Sequence, residues 1–166
     1  YFALENCLND SQEIDIKSLF SKLNDIHLEF RPNHQVLELY LNGKNINKEI
    51  RELRVSNNVS IVAKQPEIRD FLLDFQRNLA TKGGVIMDGR DIGTVILPNA
   101  DFKFFVTASP VERARRRHLQ LQNAGTEVSY EEVFQNLITR DKIDSERDVA
   151  PLKKADDAIL IDNTLL

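Results

Sequence analysis

The second half of the chain alternates short apolar runs with amphipathic segments, and this alternation constrains the possible fold more than any other feature. The apolar runs are GGVIMDG at 83–89, DFKFFVTA at 101–108 and AILIDN at 158–163, and they are too short for helices. Short buried strands that alternate with helices are typical of a parallel sheet covered by helices on both faces. The sequence therefore predicts an α/β fold whose ligands bind at the carboxyl ends of the strands.

The intervening segments carry helix-start signals. Pro66 lies in the first turn of a predicted helix that ends before Gly83-Gly84. The sequences from Ser109 to Glu112 and from Ser129 to Glu132 have the spacing of capping boxes, in which a serine begins a helix and a glutamate lies three residues later. These signals predict three helices, one before the first apolar run and two between the second and third runs.

The first half has a different pattern. Asp15 is placed to cap a helix with apolar residues at helical spacing, and alternating residues at 26–30 and 37–41 predict two strands. Asn42-Gly43 is a dipeptide favoured in two-residue hairpin turns. We therefore expect a small antiparallel sheet within a hairpin-bearing insert at 22–64, in which the polar run KNINKEIREL leads into a second helical stretch.

The composition is that of an ordinary globular protein, with 166 residues of which 42% are hydrophobic and 29% are charged. The net charge of −4 argues against a protein that binds long nucleic acids. No apolar run approaches the length of about 18 residues that a membrane span needs. A single cysteine, Cys7, allows no intrachain disulfide. We expect a cytoplasmic monomer with no nucleic-acid or membrane partner.

Three charged clusters are candidates for the ligand site. Asp88, Arg90 and Asp91 follow the first apolar run, and Arg140, Asp144 and Arg147 share one helical stripe. The third cluster, VERARRRH, contains Arg113, Arg115, Arg116 and Arg117, whose charges a polyphosphate would neutralise. Each cluster also has an ordinary structural explanation. The first could be a surface loop, the second a solvent-exposed helix face with salt bridges, and the third a basic helix face. The histidines have no zinc-site spacing, and no G-x-S-x-G nucleophile motif occurs, so phosphoryl transfer fits better than hydrolysis.

Several motifs in fixed order resemble those of the bacterial cytidylate kinase family. They are VSNNVS, PEIRDFL, VIMDGRDIGT, FVTASPVERARRR, RDKIDSERDVAPL and DDAILID. The resemblance implies an α/β, P-loop kinase-like parallel sheet covered by helices, with a small antiparallel, hairpin-bearing monophosphate-binding insert. It divides the chain into core helices at 1–21, the insert at 22–64, core at 65–110, a lid region and helix at 111–139, and core at 140–166.

The resemblance also implies an activity, the transfer of the ATP γ-phosphoryl group to CMP or dCMP with Mg²⁺. By motif position, Ser60, Arg69, Asp91 and Arg147 would bind cytosine and Asp144 the ribose. Arg90 and Arg140 would clamp the monophosphate, and Asp88 would orient Mg²⁺ through water without ligating it directly. ATP phosphates would be contacted by three lid arginines: Arg113, Arg116 and Arg117.

One part of the family pattern does not occur in this sequence. The family opens with a Gly-rich phosphate loop, and no G-x-x-x-x-G-K-[ST] motif is found here. We expect that an initial strand-loop-helix unit and a final helix are missing, and that the 166 residues alone are inactive. The alternatives are a non-catalytic pyrimidine-nucleotide-binding module and a kinase of another small phosphoacceptor.

Overall fold

The protein divides into two units, Tyr1–Leu72 and Leu73–Leu166, in a computed structural model that describes residues 1–34 and 36–166. The first unit contains helices α1 (Phe2–Asn6), α2 (Ile16–Ser21) and α3 (Leu53–Ala63), and strands β1 (Leu28–Asn33), β2 (Val36–Leu41) and β3 (Lys44–Asn45). Two short 3₁₀ turns cover Leu23–Asp25 and Glu49–Arg51. Helix α4 (Pro66–Ala80) spans the boundary between the units.

Local signals explain the elements of the first unit. The Asp15 carboxylate accepts a hydrogen bond from the Ser18 N–H at 3.1 Å, so the predicted cap of α2 is confirmed. Strands β1 and β2 are antiparallel, with Phe30 opposite Leu39. Asn42 and Gly43 have φ angles of 50° and 79° and join β2 to β3, which confirms the predicted turn.

A small apolar core lies in this unit. Four buried residues, Ala3, Cys7, Leu19 and Ile68, form its centre. Partly buried residues of α2, α3 and α4 pack around them. Because Cys7 belongs to this core, it acts as a small apolar side chain in the structure.

The second unit contains strands β4 (Phe104–Thr107) and β5 (Ile159–Asp162) and helices α5 (Pro110–Asn123) and α6 (Tyr130–Glu146). Strands β4 and β5 pair in parallel, with Thr107 opposite Asp162. A single π-helical turn covers Ile92–Ile96. Two of the three predicted parallel strands, β4 and β5, and the three predicted helices, α4, α5 and α6, are therefore confirmed.

The two predicted capping boxes differ in the structure. The Ser129 hydroxyl accepts from the Glu132 N–H, and the Glu132 carboxylate accepts from the Ser129 N–H, so this box is complete. Ser109 caps α5 in the same way, but its own N–H donates to Thr164 Oγ1 at 2.9 Å. The box at Ser109 is thus only half formed, because the Glu112 carboxylate instead accepts hydrogen bonds from Arg115 and Arg116, one turn later in the helix.

The prediction of a strand over 83–89 is wrong. Residues 84–88 have no regular structure, and Val85 and Ile86 are exposed. Gly83 and Gly84 both adopt left-handed φ angles, 69° and 66°, which are incompatible with an extended strand. A strand also requires a neighbour for its backbone hydrogen bonds, and none pairs with this run among the described residues.

Among all the residues that the structure describes, no helix is both long and apolar enough to cross a bilayer.

Candidate functional site

The loop before the π-helical turn carries the first predicted cluster. Asp91 is buried and starts the turn, where its carbonyl oxygen accepts from the Val95 N–H at 2.9 Å. The Arg77 guanidinium of α4 donates to the carbonyl oxygens of Val95 and Ile96, at 3.0 and 3.2 Å. These bonds fix the turn and hence the position of Asp91.

A side chain at Gly89 in this loop would crowd a neighbouring residue. A Cβ atom on Gly89 would lie 2.9 Å from the side chain of Ile92, closer than real Cβ contacts come. The constraint thus comes from a neighbouring side chain. Asp88, the predicted Mg²⁺-orienting residue, is exposed.

The end of α6 supplies the second cluster. Arg147 follows the last helical residue, and its Nε donates to the Ala150 carbonyl oxygen at 2.6 Å. Ala150 has a left-handed φ of 49°, and the Leu152 N–H donates to the Asp144 carbonyl oxygen at 2.7 Å. The chain therefore folds back on the helix end, which turns the Arg147 side chain towards Asp144.

Ion pairs join the two clusters. Arg147 lies 3.5 Å from an Asp91 oxygen and 3.6 Å from an Asp144 oxygen, and the three side chains are only 5–8% exposed. Arg90 Nε lies 3.1 Å from the other Asp144 oxygen. The structure thus brings together Arg90, Asp91, Asp144 and Arg147, four of the predicted nucleotide-binding residues.

Arg140 lies close enough to Arg90 and Asp144 to interact electrostatically with both, and it has an unused hydrogen-bond donor in the described part of the chain. Its Nε is buried and has no hydrogen-bond partner among the described residues. Burial, and then the positive charge of Arg90, lower the pKa of Arg140, while the negative charges of Asp144 and Asp141 raise it. A desolvated guanidinium with an unused donor is suited to a doubly charged oxyanion.

The predicted lid arginines have partners within the chain. Arg113 pairs with Asp141, and Arg116 pairs with Glu112 and also donates to Asn163. Arg117 donates to the Gln120 side chain. Hydrogen bonds from Arg115 and Arg116 lower the pKa of Glu112 to about 2. The basic run is therefore balanced by neighbouring acceptors in this structure.

The two remaining predicted residues lie in the first unit. Ser60 is buried on α3, and Arg69 on α4 donates to the Ala63 carbonyl oxygen at 3.3 Å. Their assignment to cytosine remains a prediction.

Sequence reasoning missed two residues of the second unit. Asp141 accepts a hydrogen bond from Arg113 and lies 3.8 Å from Arg90, and Ala150 accepts from Arg147. The position of Asp141 beside Arg140 in RDKIDSER was the available signal. No group of three or more His, Cys, Asp or Glu side chains that could hold a metal occurs in the part of the chain that the structure describes.

Comparison with known proteins gives a consistent result. A sequence model for a family described as cytidylate kinase matches residues 1–166. A protein named cytidylate kinase from Flavobacterium johnsoniae is 46% identical over 168 residues, covering 100% of this chain and 73% of the relative. Cytidylate kinases from an Exiguobacterium species and Clostridium perfringens are 48% and 49% identical, covering 92% and 98% of this chain and 68% and 71% of the relatives.

Proposed function

The chain belongs to the cytidylate kinase family, and on that premise we propose that its protein transfers the γ-phosphoryl group of ATP to CMP or dCMP. The products are ADP and the corresponding cytidine diphosphate. Such chemistry asks a protein mainly to position the two phosphates and to offset their negative charge. The charge cluster of the second unit supports this role.

The phosphate of the acceptor nucleotide binds Arg140 and Arg90 in this proposal. The observation that carries it is the buried Arg140 Nε, which lacks a hydrogen-bond partner among the described residues. A nucleotide phosphate supplies the missing acceptor and two negative charges. It also offsets the repulsion between Arg140 and Arg90, which lowers the Arg140 pKa further than burial alone does.

The nucleoside binds the buried pairs. Asp144 accepts hydrogen bonds from the ribose hydroxyls, and Asp91 and Arg147 form part of the cytosine site. Both carboxylates are held by Arg147, so they do not have to be ordered when the nucleotide arrives. We place Ser60 and Arg69 at the base on family resemblance.

The donor is ATP, and Mg²⁺ enters as its complex with ATP. This half of the proposal rests on the family, as does the assignment of Asp88 to a water-mediated Mg²⁺ contact. The closure of Arg113, Arg116 and Arg117 over ATP has the same basis. The P-loop kinase-like parallel sheet has the same basis, and the parallel pairing of β4 with β5 supports it. We further place the enzyme in the cytoplasm as a monomer acting on free nucleotides.

The substrate assignment is tested with the full-length protein. ADP release in a coupled assay is measured with ATP and each of CMP, dCMP, UMP, AMP and GMP. We expect kcat/KM to be highest for CMP or dCMP. Equal rates with AMP and GMP would remove the substrate assignment, and a protein that binds CMP without releasing ADP would be a non-catalytic binding module.

The site is tested by Arg140→Met, which keeps the apolar stem and removes the charge. The loss of a hydrogen bond to a charged group costs about 1.5–3 kcal/mol, so kcat/KM for CMP should fall about 10- to 100-fold. Lys142→Met is the matched control, because Lys142 is an exposed cation on the same helix. An equal effect of both substitutions would contradict the assignment of Arg140.

A further inference from the structure

The Asp141 carboxylate lies between two arginines from different parts of the second unit. Its Oδ2 accepts a hydrogen bond from Arg113 Nη1 of α5 at 2.5 Å. Its Oδ1 lies 3.8 Å from Arg90 Nη2 in the loop before the π-helical turn. Asp141 itself belongs to α6, so one side chain links three segments.

Arg113 is held at both ends of its guanidinium group. Its Nε donates to the Ala108 carbonyl oxygen at 3.0 Å, and Ala108 follows the last residue of β4. Arg113 thus fixes Asp141 relative to the strand end. This arrangement differs from the predicted contact of Arg113 with ATP phosphates.

Arg90 pairs with a carboxylate at each edge of its guanidinium group, more closely at one edge than at the other. Its Nε lies 3.1 Å from an Asp144 oxygen, and its Nη2 lies 3.8 Å from an Asp141 oxygen. A single contact leaves a guanidinium plane able to rotate, and a second contact restricts it. Arg90 also repels Arg140, and a carboxylate near both reduces this repulsion.

We propose that Asp141, fixed by Arg113, is a positioning residue that orients Arg90 towards the phosphate of the acceptor nucleotide. This inference rests on the proposed function. Two physical effects of Asp141 have opposite signs. Orientation of Arg90 strengthens phosphate binding, whereas the negative charge of Asp141 weakens it by repulsion. The inference requires that orientation is the larger effect.

The experiment uses the full-length enzyme with Asp141→Asn, which keeps the shape and removes the charge, and Arg113→Met. KM for CMP, KM for ATP, and the affinity for cytidine are measured for each variant. For a partly exposed pair we expect KM for CMP to rise about three- to tenfold in both variants, and KM for ATP to change less than about twofold in Asp141→Asn. Cytidine affinity should not change, since cytidine has no phosphate for Arg90 to contact.

Arg113→Met should reproduce the rise in KM for CMP seen in Asp141→Asn, and KM for CMP in the double variant should be no higher than in either single variant, because the two residues act in series. Arg115→Met is the control on the same helix, since Arg115 pairs with Glu112 instead. Asp141→Glu, which keeps the charge, should recover part of the CMP binding.

Three results would overturn the inference. They are unchanged or tighter CMP binding in Asp141→Asn, an equal loss of CMP and cytidine binding, and an Arg113→Met variant impaired for ATP alone. These results are distinct from failure of the proposed function, which would be visible in the unsubstituted enzyme as an absence of CMP phosphorylation.

Discussion

Arg147→Met should destabilise the protein strongly, because it removes the cation from a buried charge cluster. The Arg147 side chain is 5% exposed and lies 3.5 Å from Asp91 and 3.6 Å from Asp144. Its Nε also donates to the Ala150 carbonyl oxygen. Methionine fills much of the same volume, so the effect of the substitution is mainly electrostatic.

The magnitude follows from the burial of the two carboxylates. At an effective dielectric constant of about 20, a pair of charges about 4 Å apart attracts by about 4 kcal/mol, and dehydration of the ions offsets much of this. Removing one partner of a buried pair typically costs about 3–5 kcal/mol. Asp144 keeps its contact with Arg90, so we expect a loss near the lower limit, about 3 kcal/mol.

The free energy of unfolding is measured by urea denaturation of the full-length protein and the variant. Arg147→Met combined with Asp144→Asn serves as the control, because it also removes the negative charge of one of the two carboxylates that Arg147 contacts. The double variant should recover part of the lost stability. A loss below about 1 kcal/mol, or further destabilisation in the double variant, would refute the electrostatic reasoning.

Three further predictions concern local structure. Ser129→Ala removes a complete capping box and should lower the free energy of unfolding by about 1 kcal/mol in urea titrations. Gly43→Ala places a Cβ atom at a φ of 79° and should cost about 1 kcal/mol in the same assay. Glu112→Gln tests pH dependence. Pairing with Arg115 and Arg116 lowers the Glu112 pKa from 4.5 to about 2. The stability advantage over the variant should therefore be complete above pH 4.5 and decline towards pH 2 in thermal unfolding.

The elements predicted correctly are those with local signals. The Asp15 and Ser129 side chains each bond a backbone N–H three residues later, and Asn42-Gly43 forms a turn through its own backbone angles. Because these features depend on neighbouring residues only, the local sequence is enough to predict them. The strand at 83–89 depends on a partner from elsewhere in the chain. The apolar composition of residues 83–89 does not show whether such a partner strand is present. In addition, the left-handed φ angles of Gly83 and Gly84 prevent an extended conformation at the start of this run.

The structure brings predicted site residues together where they share an element or lie at the end of one. Arg147, Asp144 and Asp91 are joined by direct ion pairs. The pairing of the α5 arginines was not predictable from their spacing, since Asp141 and Asn163 reach them from distant sequence positions. The run of arginines in VERARRRH therefore favours phosphate binding when only the sequence is considered. In the folded chain the same arginines have acceptors nearby, so the structure supports that interpretation less strongly.

Calorimetric titration of the full-length enzyme with CMP and with cytidine tests most directly whether Arg140 and Arg90 receive the nucleotide phosphate. The account predicts that CMP binds much more tightly than cytidine, and that Arg140→Met loses most of this difference while cytidine affinity stays the same. If Arg140→Met retained the full preference for CMP, the phosphate would have to bind elsewhere and the assignment of this charge cluster would be wrong.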